Sequence, residues 1–202
     1  MLAVVDYGAG NLRSVLHALR HLGAADIQIV QAPEQLEGAQ KIILPGVGAF
    51  GAGMQQLEAQ KLIAPVKNAV QAGVPYLGIC LGMQFLFDRS DEMGEHAGLG
   101  ILPGHVTRFP AFSELKVTHM GWNRLAPTRP SKLLSGVPAN AYAYFVHSYY
   151  CVPQNSADTL IEVEYGIHFC AAVERDHIFG VQFHPEKSQQ TGLQVLKNFL
   201  AL

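Results

Sequence analysis

The amino-acid sequence predicts an α/β fold: a mostly parallel sheet with helices on both faces and an appended antiparallel β region. In the first half of the chain, short apolar runs alternate with segments of helical periodicity, a pattern typical of parallel βαβ units. In the second half, between Gly104 and Gly180, short β-rich runs are separated by turns that contain Pro, Gly and Asn. The strands of that second half are therefore expected to be antiparallel and to extend the parallel sheet.

Each element is predicted from its own pattern. Apolar residues at helical spacing, from Leu12 to Leu22, predict the first helix, and Gly73 ends a second one over residues 54–71. Buried strands are predicted over residues 2–5, 26–30, 41–44 and 74–79, and a short apolar helix over 81–87. Later strands are predicted over 142–146, 160–164 and 178–183, and a final helix over 189–202.

Length and composition exclude several classes of protein. The chain has 202 residues, which predicts a single domain spanning 1–202. Its 14 Lys and Arg against 16 Asp and Glu give a net charge of −2, so no basic excess favours nucleic acid. No apolar run approaches the roughly 18 residues of a membrane-spanning helix, and three cysteines without C-x-x-C spacing predict neither a disulfide framework nor a zinc site. We expect a cytoplasmic protein that uses no metal and no cofactor.

The glycine-rich segment from Gly46 to Gly51 matches G-x-G-x-x-G between a strand and a helix. A dinucleotide site of this type also needs an acidic residue about 20 positions later. No Asp or Glu occurs between Glu58 and Asp88, which disfavours that interpretation. Such a turn can instead present backbone N–H groups to an oxyanion, a use that needs no downstream acid.

Cys80 is the candidate nucleophile. It lies in Gly78-Ile79-Cys80-Leu81-Gly82, the thiol counterpart of the G-x-S-x-G turn between a strand and a helix. Glycines two positions away on either side permit a sharp turn that puts the sulfur at a helix N-terminus, where the helix dipole favours a thiolate. The N–H of Leu81 can then face a developing oxyanion. Cys151 and Cys170 lack flanking glycines and are expected to be buried and inert.

His184 is the candidate base, with Glu186 as its orienting acid. A catalytic cysteine needs a histidine that a carboxylate or amide holds in place. In the extended segment His184-Pro185-Glu186, residues i and i+2 project to the same side, and the proline stiffens the backbone between them. His119 and His147 lie in polar-aromatic strings whose simplest interpretation is an exposed strand edge with aromatic cross-strand pairs.

The combination of these motifs resembles the triad (class I) glutamine amidotransferases, whose fold is flavodoxin-like. The resemblance rests on the strings P-G-V-G at 45–48, G-I-C-L-G-M-Q at 78–84 and V-Q-F-H-P-E-K-S at 181–188. Three narrower strings resemble the branch of this family that feeds a cyclase in histidine biosynthesis: D-Y-G-A-G-N-L at 6–12, K-V-T-H-M-G-W-N at 116–123 and Y-F-V-H-S-Y-Y at 144–150.

The resemblance implies a reaction and a set of roles. Cys80 attacks the side-chain amide of glutamine, His184 protonates the leaving ammonia and then activates water, and Glu186 holds His184. Gly48 and Gln84 bind the substrate, and backbone N–H groups of Val47, Gly48 and Leu81 form the oxyanion hole. A flip of the Val47 peptide, flanked by glycines, would switch the activity on.

The resemblance also implies a partner. Ammonia passes to a (β/α)₈-barrel cyclase subunit in a heterodimer, which makes imidazole glycerol phosphate and an aminoimidazole carboxamide ribotide. Asn11, Trp122, Tyr144 and Lys187 are implied at the interface with that subunit. Three alternatives stay open: the glutaminase of another synthase, such as that of pyridoxal phosphate; a cysteine peptidase or chaperone-like hydrolase; and a binding module with a degenerate turn.

Overall fold

The computed structural model describes residues 1–8, 11–111 and 114–202. The helices are α1 (Leu12–His21), α2 (Phe50–Ala59), α3 (Ile63–Gln71), α4 (Leu81–Gln84) and α5 (Gln189–Ala201). The first seven strands are β1 (Leu2–Val5), β2 (Ile27–Val30), β3 (Lys41–Gly46), β4 (Tyr76–Cys80), β5 (Arg89–Ser90), β6 (His96–Ala97) and β7 (Gly104–Arg108). The others are β8 (His119–Arg124), β9 (Ala126–Pro127), β10 (Tyr142–His147), β11 (Tyr149–Pro153), β12 (Thr159–Glu164), β13 (His168–Arg175) and β14 (Ile178–Val181).

A twelve-stranded sheet forms the centre of the fold. Five neighbouring strands, in the order β2-β1-β3-β4-β14, are parallel to one another. From β14 the sheet continues through β13, β11 and β7 in antiparallel pairs, while β8 and β10 form a separate antiparallel ribbon. The predicted parallel sheet with an antiparallel addition is confirmed.

Helices cover both faces of the parallel strands because alternate residues of each strand point to opposite sides. Val4 and Ile43 pack in one apolar cluster with α1 and α5, whereas Val5 and Leu44 pack in a second cluster with α2, α3 and α4. All four strand residues are at most 1% exposed. None of the helices in the described part of the chain is long and apolar enough to cross a membrane.

Two predicted helices are wrong in extent. The helix predicted over residues 54–71 is two helices, α2 and α3, because Lys61 takes a left-handed conformation with φ of 58° between them. Pro65 was the overlooked signal: it lacks an N–H and is tolerated in the first turn of α3 but not inside a continuous helix. The helix predicted over 81–87 ends at Gln84, after which the chain turns toward β5.

The carboxyl ends of β3, β4 and β14 meet at one edge of the sheet. Gly46 is paired with Cys80 at the last step of the β3–β4 ladder, and Val181 with Ile79 near the end of the β4–β14 ladder. In open α/β sheets this edge is where ligands bind. The chain order therefore brings the loop after Gly46, the turn at Cys80 and the segment that begins at Gln182 to the same place.

The break between α2 and α3 predicts opposite effects of one substitution at two lysines. Lys61→Gly should leave the free energy of unfolding unchanged or raise it by up to about 1 kcal/mol, because glycine relieves the left-handed strain. Lys67→Gly, inside α3, should lower it by about 1 kcal/mol. Urea unfolding of the two variants measures the difference. Equal losses at both positions would mean that the helix is continuous.

Candidate active site

Cys80 occupies a strained turn between β4 and α4. Its φ of 53° and ψ of −107° are unusual for a residue with a side chain, and such strain is typical of functional sites. The turn requires a close approach of backbones on either side. A Cβ atom on Gly78 would lie 2.3 Å from the carbonyl oxygen of Gly82, and one on Gly82 would lie 1.8 Å from that of Leu44. Both flanking glycines are therefore needed for the turn.

The three cysteines have different surroundings. Cys80 lines a cavity at the sheet edge, whereas Cys151 and Cys170 face each other as paired residues of β11 and β13. Burial raises the pKa of the Cys170 thiol to about 12 and that of Cys151 well above its ordinary value. Both thiols are thus held protonated and unreactive, as their sequence context indicated.

His184 and Glu186 are joined as the H-P-E spacing predicted. The Nδ1 atom of His184 lies 2.9 Å from Oε1 of Glu186, and both side chains are almost wholly buried. The Asn11 amide also reaches this carboxylate, with Nδ2 donating to Oε1 over 3.4 Å. Asn11, which the resemblance implied at a partner interface, therefore lies against the orienting acid. Residues 9 and 10 of the string at 6–12 lie outside the described residues.

The charge environment of His184 favours its protonated form. Burial alone would lower the pKa of this imidazole, but Cys80 and Glu186 outweigh burial and raise the pKa from 6.5 to about 10. Because Nδ1 is bonded to Glu186, Nε2 is the ring nitrogen left for Cys80. Among the described residues no atom meets the distance and angle requirements of a hydrogen bond to Nε2, so the contact with Cys80 that raises the pKa is a loose one. Catalytic hydrogen bonds are often long before substrate binds.

The cavity at the sheet edge has a volume of about 280 Å³. It is lined by the residues predicted to bind the substrate and by those predicted to form the oxyanion hole. Val47 is 38% exposed, and Gly48 has a φ of 102° that favours glycine. The two glycines beside Val47 differ: a Cβ atom on Gly46 would lie 2.3 Å from the Tyr7 hydroxyl, whereas one on Gly48 would meet nothing within 4 Å. Residues lining the cavity include Val47, Gly48, Cys80, Leu81, Gln84, Glu92, His147, Ser148, Tyr149 and His184.

Glu92 is a cavity residue that the sequence analysis missed. Its Oε2 atom accepts a hydrogen bond of 2.6 Å from the backbone N–H of Phe50, at the start of α2. The carboxylate thereby joins the loop after Ser90 to the end of the glycine-rich segment. No local pattern marks Glu92 in the sequence, because it lies in an irregular loop that is brought to the cavity by β5.

His119 and His147 are buried, so the interpretation as an exposed edge is wrong for them. They are 2% and 6% exposed and form a cross-strand pair, with Nδ1 of His119 at 3.1 Å from Nε2 of His147. Burial lowers the pKa of His119 to about 4 and that of His147 to about 3. The Nδ1 atom of His147 donates to the Tyr149 carbonyl over 2.8 Å. Both rings are therefore neutral near pH 7 and belong to a structural hydrogen-bond chain.

The opposite face of the β8–β10 ribbon carries exposed aromatic residues. Trp122 is 47% exposed and packs edge-on against Tyr144, its cross-strand neighbour, with ring centroids 6.1 Å apart. The Lys187 ammonium lies 5.9 Å from the centre of the Tyr144 ring. These three residues, all implied at the partner interface, form one surface group next to the His184–Glu186 segment.

Comparison with known proteins gives consistent family assignments. A family model described as "Glutamine amidotransferase class-I" matches residues 3–202. The chain is 47% identical, over 98% of both sequences, to the imidazole glycerol phosphate synthase subunit HisH of Syntrophotalea carbinolica. It is 49% identical to the subunit of the same name from Desulfitobacterium hafniense, over 98% of this chain and 93% of the other.

Solved structures share the fold. A structure titled as a glutamine amidotransferase aligns with 98% of this chain and 97% of its own at a TM-score of 0.76 and 21% identity. PurLQS from Thermotoga maritima aligns with 99% of this chain and 97% of that one at a TM-score of 0.74 and 18% identity. At these identities the likeness supports the architecture alone.

The environment of His184 predicts an imidazolium that persists above neutral pH. In an NMR titration the His184 ring should stay protonated through pH 8, where an ordinary histidine is neutral, because its pKa is raised to about 10. Cys80→Ala removes the sulfur whose contact raises this pKa, and the pKa of His184 should fall. Cys170→Ala, at a buried cysteine outside the cavity, is the matched control and should leave it unchanged. An ordinary pKa for His184 in the unsubstituted protein would contradict the ion pair.

Proposed function

The chain belongs to the class-I glutamine amidotransferase family, and from that premise we propose that it hydrolyses glutamine and delivers the ammonia to a cyclase subunit in histidine biosynthesis. One observation carries the proposal: Cys80, His184 and Glu186 converge at a single cavity in a chain that matches imidazole glycerol phosphate synthase subunits over nearly its whole length. The family match over residues 3–202 also supports treating 1–202 as one domain.

The chemistry follows from the charge state of the site. A Cys80 thiolate at the N-terminus of α4 attacks the amide carbonyl of glutamine, and the His184 imidazolium donates its proton to the departing ammonia. The neutral imidazole then takes a proton from water, which hydrolyses the glutamyl thioester. Glu186 accepts from Nδ1 throughout and holds Nε2 toward the sulfur. His184, whose pKa is raised, thus acts first as an acid and then, after it has lost its proton, as a base.

The cavity offers groups for each part of glutamine. Backbone N–H groups of Leu81, Val47 and Gly48 are assigned to the oxyanion, each donor being worth about 3 kcal/mol in the transition state. Gln84 and Gly48 are assigned to the substrate. The Glu92 carboxylate lies in the same cavity and suits the α-ammonium group of glutamine, since burial of a charge requires an opposite partner.

The role of Glu92 is tested by Glu92→Gln, which keeps an oxygen to accept from the Phe50 N–H. This variant should have a raised KM for glutamine.

The exposed ribbon face supports a partner. Trp122, Met120 and Tyr142 are 47%, 65% and 52% exposed and lie on one side of the β8–β10 ribbon with Tyr144. Contiguous apolar surface of this kind marks protein contacts. We assign it, with Lys187 and Asn11, to a cyclase subunit with a (β/α)₈ barrel, which joins ammonia to a nucleotide. The products are imidazole glycerol phosphate and an aminoimidazole carboxamide ribotide.

Glutamate release by the chain alone and with the cognate cyclase and its nucleotide ligand tests the proposal. We expect weak activity alone, strong stimulation in the complex, and none above background in Cys80→Ala, since the nucleophile is lost. Trp122→Ala should weaken binding of the cyclase, and Trp122→Phe, which keeps an aromatic ring, should restore much of it. Full activity without any partner would contradict the regulated subunit, and full activity in Cys80→Ala would contradict the triad.

The assigned oxyanion hole predicts a large effect from one backbone atom. Val47→Pro removes the N–H at this position and should lower the partner-stimulated turnover about 10²–10³-fold. Val47→Ala keeps the N–H, and its turnover should stay close to that of the unsubstituted protein. Steady-state glutamate release in the complex measures both. Undiminished turnover in Val47→Pro would show that the Val47 N–H takes no part in the reaction.

A further inference from the structure

Gln182 contacts the reacting sulfur from inside the protein. It follows β14, is fully buried, and its Nε2 atom lies 3.6 Å from the Sγ atom of Cys80. Its backbone N–H donates to the Ala171 carbonyl over 2.8 Å, which extends the β13–β14 pairing by one residue and fixes the direction of the side chain. Gln182 therefore approaches Cys80 from β14, two residues before His184.

A backbone carbonyl fixes which end of the Gln182 amide faces the sulfur. The Tyr149 carbonyl can only accept, so the Gln84 atom at 3.2 Å from it is the amide nitrogen. That nitrogen lies 3.0 Å from the Gln182 side chain, which must offer an acceptor there, its Oε1 atom. The Nε2 atom of Gln182 is then the atom that faces Cys80. The orientation thus follows from the hydrogen-bond partners alone.

A chain of hydrogen bonds extends from the Tyr149 carbonyl to Asn123. That carbonyl accepts from His147 as well as from Gln84, and the neutral His147 ring in turn accepts from His119. Asn123 is the last member of this series of hydrogen bonds. Its Nδ2 atom lies 3.3 Å from Nε2 of His119 and donates to the Glu164 carbonyl over 2.9 Å. The low pKa values of both histidines keep this order of donors intact near neutral pH.

We propose that Gln182 is a further catalytic residue, which donates a hydrogen bond to the Cys80 thiolate, and that Gln84 is a positioning residue that holds the Gln182 amide in the donating orientation. A hydrogen bond to a charged acceptor favours the charged form. Gln182 stabilises the thiolate from inside the protein, whereas His184 faces the sulfur from the cavity. The inference rests on Cys80 being the nucleophile of the proposed function.

Other titratable groups also surround the sulfur. His184 carries the positive charge. The Tyr7 hydroxyl approaches from the segment after β1, and the Cys151 thiol from β11. Glu92 and His147 line the cavity. Burial, with Cys80 and Asp6, raises the pKa of Tyr7, so this hydroxyl stays protonated. Gln182 differs from all of these groups because it has no charge and cannot titrate. Its ability to donate is therefore the same at every pH, and only the protonation state of Cys80 changes.

The test is the pH dependence of Cys80 alkylation by iodoacetamide, followed by peptide mass mapping, which needs neither turnover nor partner. Gln182→Met keeps the volume but removes the donor. Gln182→Glu keeps an acceptor for Gln84 and puts an oxygen against the sulfur. Both should move the midpoint of thiolate formation upward by about one pH unit, with about tenfold slower alkylation below the midpoint. Gln194→Met, the same change on α5 outside the cavity, is the control.

Thermal unfolding of each variant separates this role from a merely structural one. A structural role would lower the unfolding temperature and leave the alkylation midpoint in place. An unchanged alkylation midpoint in folded Gln182→Met would overturn the inference. If the methionine variant does not fold, the alkylation midpoint of Gln182→Glu is the deciding measurement. Glutamate release by the unsubstituted protein in the complex is measured alongside. Its absence would refute the proposed function, whereas normal release with unmoved midpoints would refute only the role of Gln182.

Discussion

The close packing of three backbone segments around Cys80 is the constraint on which the rest of the site depends. Gly82 lies so near the Leu44 carbonyl, and Gly78 so near Gly82, that no side chain fits at either glycine. This packing holds Cys80 in a left-handed conformation that an isolated turn would not keep, at a cost of about 1–3 kcal/mol. This conformation places the sulfur at the N-terminus of α4, next to β14, the strand that His184 follows.

The parallel sheet makes neighbours of residues that are far apart in the chain, and these neighbours determine the charge of each titratable side chain. β3, β4 and β14 are adjacent, so the glycine-rich loop, the nucleophile and the H-P-E segment meet at their carboxyl ends. Two histidines at the same cavity then differ in charge for physical reasons. Cys80 and Glu186 hold His184 protonated, whereas burial, together with the nearby charge of His184, lowers the pKa of His147 and keeps it neutral. In the proposed reaction, His184 is thus the acid for the departing ammonia, and the neighbouring His147 does not compete for the proton.

Sequence patterns predicted what depends on local order, and they failed where distant contacts decide. A continuous apolar run predicted β1 and helical periodicity predicted α1 nearly to the residue, since β1 is buried on both faces and α1 buries one face. The single helix over 54–71 was wrong because periodicity continued across a break set by Lys61 and Pro65. The spacing of His184 and Glu186 indicated their contact, because residues i and i+2 share a side. Glu92 and Gln182 reach the site only through the folded sheet, so no local pattern could assign them a role.

Trapping the covalent intermediate would identify the nucleophile directly. The complex would be mixed with glutamine, quenched in acid within one turnover, and analysed by intact mass and peptide mapping. We expect a glutamyl adduct on the peptide that contains Cys80 and none on those with Cys151 or Cys170. In His184→Asn we expect slower formation of the adduct, because the departing ammonia receives no proton, and slower hydrolysis, because no base activates the water. Turnover without any adduct on Cys80, or an adduct on another residue, would show that Cys80 is not the nucleophile.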